Sequence, residues 1–220
     1  MAQQERAIRT RRAVLNAAAL AFSETGYANT TVAQILKLAD VTKGALYFHF
    51  DSKEALAKGV LDEQIAKDLP PQELKLQEWI DIGMVLAYQL VHDPILRAGA
   101  RLVSDPEGRA RYGTTWPQWV DLFAEVLTEA QERGEVLPHV NTRETAEFCV
   151  GAYHGNQMYS HFASHWEDME ERASVLYKHV LPGITAPAIL PRLDTSADRG
   201  ARIFAEAERE SEEAELAAAG

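Results

Sequence analysis

Lys43, Tyr47 and His49 stand within seven positions of one another in "VTKGALYFHF" (41–50), with Gly44 and Ala45 between them. A lysine ammonium can donate to a phosphate or to guanine O6 and N7. A tyrosine hydroxyl can reach a phosphate oxygen, and a side chain as small as Ala45 can sit over a base edge or a thymine methyl. Gly44 lacks a Cβ and lets the backbone approach a duplex closely. Thr42, Lys43, Tyr47 and His49 are expected to point outward, and Phe48 and Phe50 to turn inward and hold the segment. Lys53 stands at the start of the next helix beside free backbone N–H groups, a natural phosphate clamp. The structural alternative is a helical hairpin packed inside a bundle.

A second grouping is His154, His161 and His165. At roughly 100° per residue the three share one helical face, joined by Met158. Such a stripe can bind a transition metal, form a pH-sensitive dimer seam or line a pocket. No Asp, Glu or Cys on that face completes a ligand set before Glu167 or Asp168, so no metal is expected. His154 is assigned to a pocket, and His161 and His165 to the neighbourhood of an interface. An all-α metal-dependent enzyme built on this stripe is the competing functional class. It lacks a general-base carboxylate at fixed spacing, a Gly-rich phosphate loop and a nucleophile elbow. No cofactor and no catalytic residue is expected.

A third grouping is aromatic: Trp79, Tyr88, Trp116, Trp119, Phe123, Tyr153, Tyr159, Phe162 and Trp166. Most would serve as ordinary core. Ligand sites, however, are largely apolar with a few placed polar groups. Gln64, Met84, Tyr88, Trp119, Phe123, His154 and Met158 are the candidate lining, with Gln64 on a helix that can couple ligand to the reading segment.

Nearly every long segment that must position these residues has helical period, and no strand alternation is evident. "ERAIRTRRAVLNAAALAFSETG" closes at Gly26. Thr31 and Gln34 fit a capping box ahead of a second helix. Thr42 can cap the short third helix, and Asp51 or Ser52 a fourth that ends at Pro70–Pro71. Five more helical stretches follow between Pro, Gly and Asp-Pro punctuation. Residues 105–115 read as a loop, 182–193 as a turn or broken helix, and the Ala/Glu-rich end as a solvated helix or frayed tail. The result is an all-α chain of nine or ten helices. Its expected domains are 1–52 (helix-turn-helix), 53–195 (ligand binding and dimerisation, its first helix a connector) and 196–220 (acidic helix or tail).

The 220 residues can bury roughly 70% of their unfolded surface. No apolar run approaches the ~18 residues of a membrane span, and the N-terminus has no signal-like apolar stretch, so a cytoplasmic protein without membrane contact is expected. The single Cys149 excludes disulfide and Cys-rich zinc frameworks. The net charge of −11 is uneven: residues 1–60 hold eight Lys/Arg against five Asp/Glu, or +3, leaving −14 for the remainder. A basic end that meets a polyanion and an acidic body that does not would look this way.

"GYANTTVAQILKLADVTKGALYFHFDSKEALA" (26–57) resembles the N-terminal domain of the TetR family of bacterial transcriptional regulators. The matching positions are Gly26-Tyr27, Thr30-Thr31, Ala39, Val41–Gly44, Leu46-Tyr47, His49-Phe50 and Ser52–Glu54. "TKGALYFHF", "DPILRAGARL" and a Trp opening a later helix are similar to the γ-butyrolactone receptor branch from streptomycetes. The resemblance implies a homodimeric repressor whose three N-terminal helices bind a double-stranded, pseudo-palindromic operator. A small effector would release it: a butyrolactone, a butenolide or furan-like molecule, or an antibiotic intermediate. Carried over by position, Thr31, Tyr47 and Lys53 are phosphate contacts and Lys43, Gly44 and Ala45 base readers. Arg6, Arg9 and Arg12 reach the backbone or minor groove. Trp119 corresponds to the tryptophan lining that branch's pocket.

Overall fold

The computed structural model describes residues 2–63 and 69–219, and among them the regular structure is helical. Eleven α-helices run in order: α1 Ala2–Asn29, α2 Val32–Ala39, α3 Lys43–His49, α4 Lys53–Asp62, α5 Lys75–His92, α6 Pro94–Ser104, α7 Pro106–Tyr112, α8 Trp116–Glu132, α9 Thr142–Ser164, α10 Met169–Ile184 and α11 Arg199–Ala219, with one 3₁₀ turn at Leu190–Arg192. Two compact units result. One contains residues 1–65 and 93–115, the other 66–92 and 116–220.

In the first unit, Val14, Leu15, Ala18 and Phe22 of α1 meet Ile35 of α2, Leu46 of α3, Leu56 and Val60 of α4, and Ala98 and Leu102 of α6. Gly26 breaks α1 with φ +78°, a conformation that favours glycine, and one further turn carries the chain to Asn29. The helix therefore kinks where a stop was expected. Arg101 of α6 braces that kink, donating to the Ser23 and Glu24 carbonyls at 2.7 and 3.0 Å. These are among the carbonyls that the break leaves without helical partners.

Residues 105–115, expected to be a loop, include α7. Pro106 stands at the first helical position, where a missing N–H costs nothing. The Tyr112 hydroxyl then donates to the Leu102 carbonyl at 2.9 Å and ties α7 to α6.

In the second unit α5 is the central helix, with Trp79, Ile80, Met84 and Ala87 fully buried. Around it pack α8, α10 and α11, and α9 packs on α8 and α10. The expected boundaries at 52, 195 and 196 differ from these units. Residues 53–62 bury Leu56, Ala57 and Val60 in the first core, and so does α6.

The C-terminal residues are not a solvated tail from their start. Arg199 of α11 donates to both carboxylate oxygens of Asp81 at 2.9 and 2.7 Å, with Asp81 only 1% exposed. A Cβ at Gly200 would fall 2.1 Å from the Met84 carbonyl oxygen, so only glycine lets α11 lie this close to α5. Pro182 sits inside the last turns of α10, which continues to Ile184.

Candidate nucleic-acid interface

Three N-caps set the helix-turn-helix. Thr31 Oγ1 accepts from the Gln34 N–H at 3.2 Å while Gln34 Oε1 accepts from the Thr31 N–H at 2.7 Å, completing the capping box. Asp40 closes α2 in the left-handed conformation (φ 51°), turning the chain within two residues toward Thr42. Thr42 Oγ1 accepts from the Ala45 N–H and starts α3, and Ser52 Oγ accepts from the Ala55 N–H and starts α4. Asp51 is not that cap.

Leu46 is fully buried and Phe50 is 5% exposed, so α3 is held by one residue inside the helix and one at its end. Thr42, Lys43, Gly44 and Tyr47 face solvent, with Ala45 and His49 half-buried beside them. The Lys43 ammonium lies 5.8 Å from the Tyr47 ring centre. Nothing lies within 4 Å of where a Cβ on Gly44 would be, leaving open space over the helix N-terminus.

Phe48 corrects the sequence reading: it is 80% exposed rather than inward. Leu46 and Phe50 are four apart and share the inner face, which leaves position 48 on the outer one. Its ring stands edge-on to His49 at 5.0 Å. Phe48 is thus an outward aromatic on the reading helix that sequence reasoning missed, although its helical spacing was a sufficient signal.

Lys53 is half-buried, its ammonium 4.3 Å over the Tyr27 ring. Burial pushes its pKa down, opposed by Glu54 and assisted by Arg111. Tyr27 is pushed up to about 12 by burial and by its hydrogen bond to Glu54. The Glu54 carboxyl is held low by its own backbone N–H, Tyr27 and Ser52. Lys53 is therefore positioned by the packing of α1 against α4.

The candidate pocket residues divide. In the second unit Trp79 meets Phe123 and Tyr177 edge-on at 5.7 and 5.1 Å, and Trp119 adds to Phe123 at 6.4 Å. The Tyr153 hydroxyl donates to the Gly83 carbonyl at 2.8 Å. Met84 is fully buried nearby on α5. Phe123 thus bridges Trp79 and the half-buried Trp119, and Trp79 joins the candidate group with a buried indole N–H that has no acceptor. Tyr88 instead lies between His92 and Phe204, ring centres 4.6 and 5.4 Å away. Met158 is 42% exposed on the outer face of α9 and does not join the interior group. Gln64 lies outside the described residues.

The histidine stripe divides: His161 and His165 stay neighbours, ring centres 6.4 Å apart, and His154 has a different partner. The His154 ring meets Trp116 at 4.9 Å, and His161 stacks on Trp166 at 4.2 Å. His165 leaves the helix in the left-handed conformation. Among the described residues no group of three or more His, Cys, Asp or Glu could hold a metal. Cys149 is buried, and burial pushes its thiol up to about 12.

An α2–turn–α3 pair with a capped, outward-facing and basic second helix is a helix-turn-helix DNA-binding head. Residues 14–60 match the family model described as "Bacterial regulatory proteins, tetR family". The A-factor receptor protein of Streptomyces griseus is 37% identical over 99% of this chain and 80% of its own length. The solved structure of full-length native TylP, a TetR regulator from Streptomyces fradiae, is 40% identical, with TM-score 0.82 over 94% of this chain and 93% of that one. An ArpA-like γ-butyrolactone receptor is 26% identical, with TM-score 0.66 over 91% and 99%. The chain belongs to the tetR family of bacterial regulatory proteins. It is a DNA-binding transcriptional regulator, close to the γ-butyrolactone receptors, and not an enzyme. No described helix is long and apolar enough to cross a membrane.

Proposed function

We propose that this chain is a cytoplasmic, homodimeric repressor that a small lactone- or furan-type effector releases from a pseudo-palindromic operator, controlling secondary metabolism. The observation that carries the reading is the outward row Thr42, Lys43, Gly44 and Tyr47 on a helix held by Leu46 and Phe50, in a chain related to an A-factor receptor. Lys43, Gly44 and Ala45 read base edges; Thr31, Tyr47 and Lys53 engage phosphates, with Thr42 and His49 flanking them. Arg6, Arg9 and Arg12 add backbone or minor-groove contacts.

The effector occupies the second unit, against Trp119, Phe123 and Met84. The indole of Trp119 offers a flat wall and an N–H donor. Gln64 is the proposed polar partner on the connecting segment, and Tyr88 and His154 border the site. The His154 ring packs on Trp116 at 4.9 Å, and this added ring supports a second reading within the class: a receptor for an antibiotic or its intermediate. The chain passes from α5 straight into α6 at His92–Asp93, and α6 braces the α1 kink through Arg101. Strain set up on α5 by an effector therefore has a covalent route to the reading head.

The homodimer is supported by an outer face on α9 and α10 that carries Phe148, Tyr159, Phe162 and Val175, each more than half exposed. Apolar patches of this kind mark protein–protein contacts. A two-fold dimer calls for operator half-sites a whole number of helical turns apart.

Trp119→Ala tests the division of labour. It should leave operator binding near wild type and abolish release by A-factor or a related γ-butyrolactone. Loss of DNA binding as well would make Trp119 structural.

A further inference from the structure

Two stripes run along the outward side of α3, and only one of them is polar. Lys43 and Tyr47, four apart, form the first, with the ammonium 5.8 Å from the ring centre. Gly44 and Phe48, also four apart, form the second, about 100° further round the helix. Among the described residues of the first unit, Phe48 is the most exposed large apolar side chain. It is 80% exposed, against 61% for Ile8 and 49% for Leu38. Its ring meets His49 edge-on at 5.0 Å.

Long side chains on a helix lean toward its N-terminus, so a ring at position 48 overhangs the turn of Gly44. That turn is open: nothing lies within 4 Å of where a Cβ on Gly44 would be. The stripe is therefore a notch with backbone for a floor and an aromatic ring for a wall. A methyl group in van der Waals contact stands about 3.5–4.0 Å from each neighbouring carbon, and this space admits one.

A phenyl ring has no hydrogen-bond donor and no charge, so neither phosphate contacts nor hydrogen-bond readout of bases accounts for it. In the major groove the base edges present hydrogen-bonding atoms and one apolar group, the C5 methyl of thymine. Cytosine carries a hydrogen at the same C5 and presents the same methyl when it is methylated there. A ring beside an open notch suits that methyl and distinguishes it from C5–H by one buried carbon.

We propose, on the DNA-reading role of α3, that the Gly44–Phe48 stripe is a site for a pyrimidine C5 methyl group in the operator. The regulator then reads thymine at this place by its methyl, and its affinity responds to methylation of a cytosine standing there. Base discrimination is shared between the hydrogen-bonding Lys43 and an apolar contact, and operator affinity is sensitive to a covalent mark on the DNA.

The test uses the full chain and the tightest duplex that wild type selects from a random-sequence pool, read by fluorescence anisotropy. Each thymine is replaced in turn, in both half-sites together, by uracil, which removes the methyl and keeps every hydrogen-bonding atom. At one position per half-site the loss should be about fourfold for each methyl, or about fifteenfold for the pair. Phe48→Ala should bind the thymine and uracil duplexes equally, whatever its own affinity, so a general weakening of the variant does not imitate the result. Cytosine and 5-methylcytosine are then compared at that position. Wild type should favour the methylated duplex by a similar factor, and Phe48→Ala should not. Sensitivity to uracil without sensitivity to 5-methylcytosine would overturn the response to methylation and leave the reading of thymine. Uracil sensitivity that survives Phe48→Ala wherever it is found, or no such sensitivity, would overturn the site. Failure of wild type to select any duplex would overturn the DNA-reading role of α3 as well.

Discussion

Lys43 and Phe48 separate two kinds of contact that one seven-residue helix can offer. Lys43→Ala removes an exposed donor whose one described contact is with the exposed Tyr47 ring, 5.8 Å away. It should cost about 1–3 kcal/mol of operator affinity and relax preference at one base pair, read by titrating substituted duplexes. Phe48→Ala removes an aromatic ring that is 80% exposed. Its thermal stability should stay within about 0.5 kcal/mol of wild type, and operator affinity should fall, because an outward ring on the reading face has no other surface to cover. Equal operator affinity of Phe48→Ala and wild type would remove Phe48 from the interface. Sequence reading placed Thr42, Lys43 and Tyr47 outward as found, set His49 further out than its half-buried position, and misjudged Phe48, because two phenylalanines two apart look alike in composition. Only a helical phase fixed by the Thr42 cap and Leu46 sets them on opposite sides.

Among the elements, those with local signals were legible in the sequence and those defined by distant partners were not. Thr31, Thr42 and Ser52 announce α2, α3 and α4 because a cap satisfies its own neighbours' N–H groups. Thr31→Ala should lower stability by about 1 kcal/mol, measured by denaturant unfolding. Helix α11 had no such signal: an acidic, Ala-rich run reads as solvated until Arg199 finds Asp81. Burial pushes the Asp81 carboxyl up, against the pull of Arg199 and Gln77. Arg199→Ala leaves that carboxylate buried without its cation and should cost about 3–5 kcal/mol. Replacing both partners with apolar residues of similar volume should cost much less. If the single and double replacements cost the same, the ion pair does not hold α11. The assignment of α6 and α7 to the first unit was likewise illegible, because it depends on packing against α1 some eighty residues earlier in the chain.

For the whole molecule, charge and pairing decide function. A net −11 chain with +3 in its first 60 residues should approach DNA by one end only. Operator affinity should fall steeply with salt, with a slope near −0.9 per phosphate neutralised. Of the candidate pocket residues, Trp119 and Phe123 pack together, and Phe123 also meets Trp79. Met158 was misplaced because its helical phase fits the histidine stripe and the outer face of α9 equally well, and only burial separates the two.

The most direct measurement is fluorescence anisotropy of labelled duplexes from the region upstream of this protein's own gene. It would be titrated with wild type and Lys43→Ala at two salt concentrations. Tight, salt-sensitive binding to one pseudo-palindromic fragment is expected, with no comparable binding to a scrambled duplex and a clear loss with Lys43→Ala. Equal binding of both proteins to that fragment would contradict the placement of the reading helix on which the account rests.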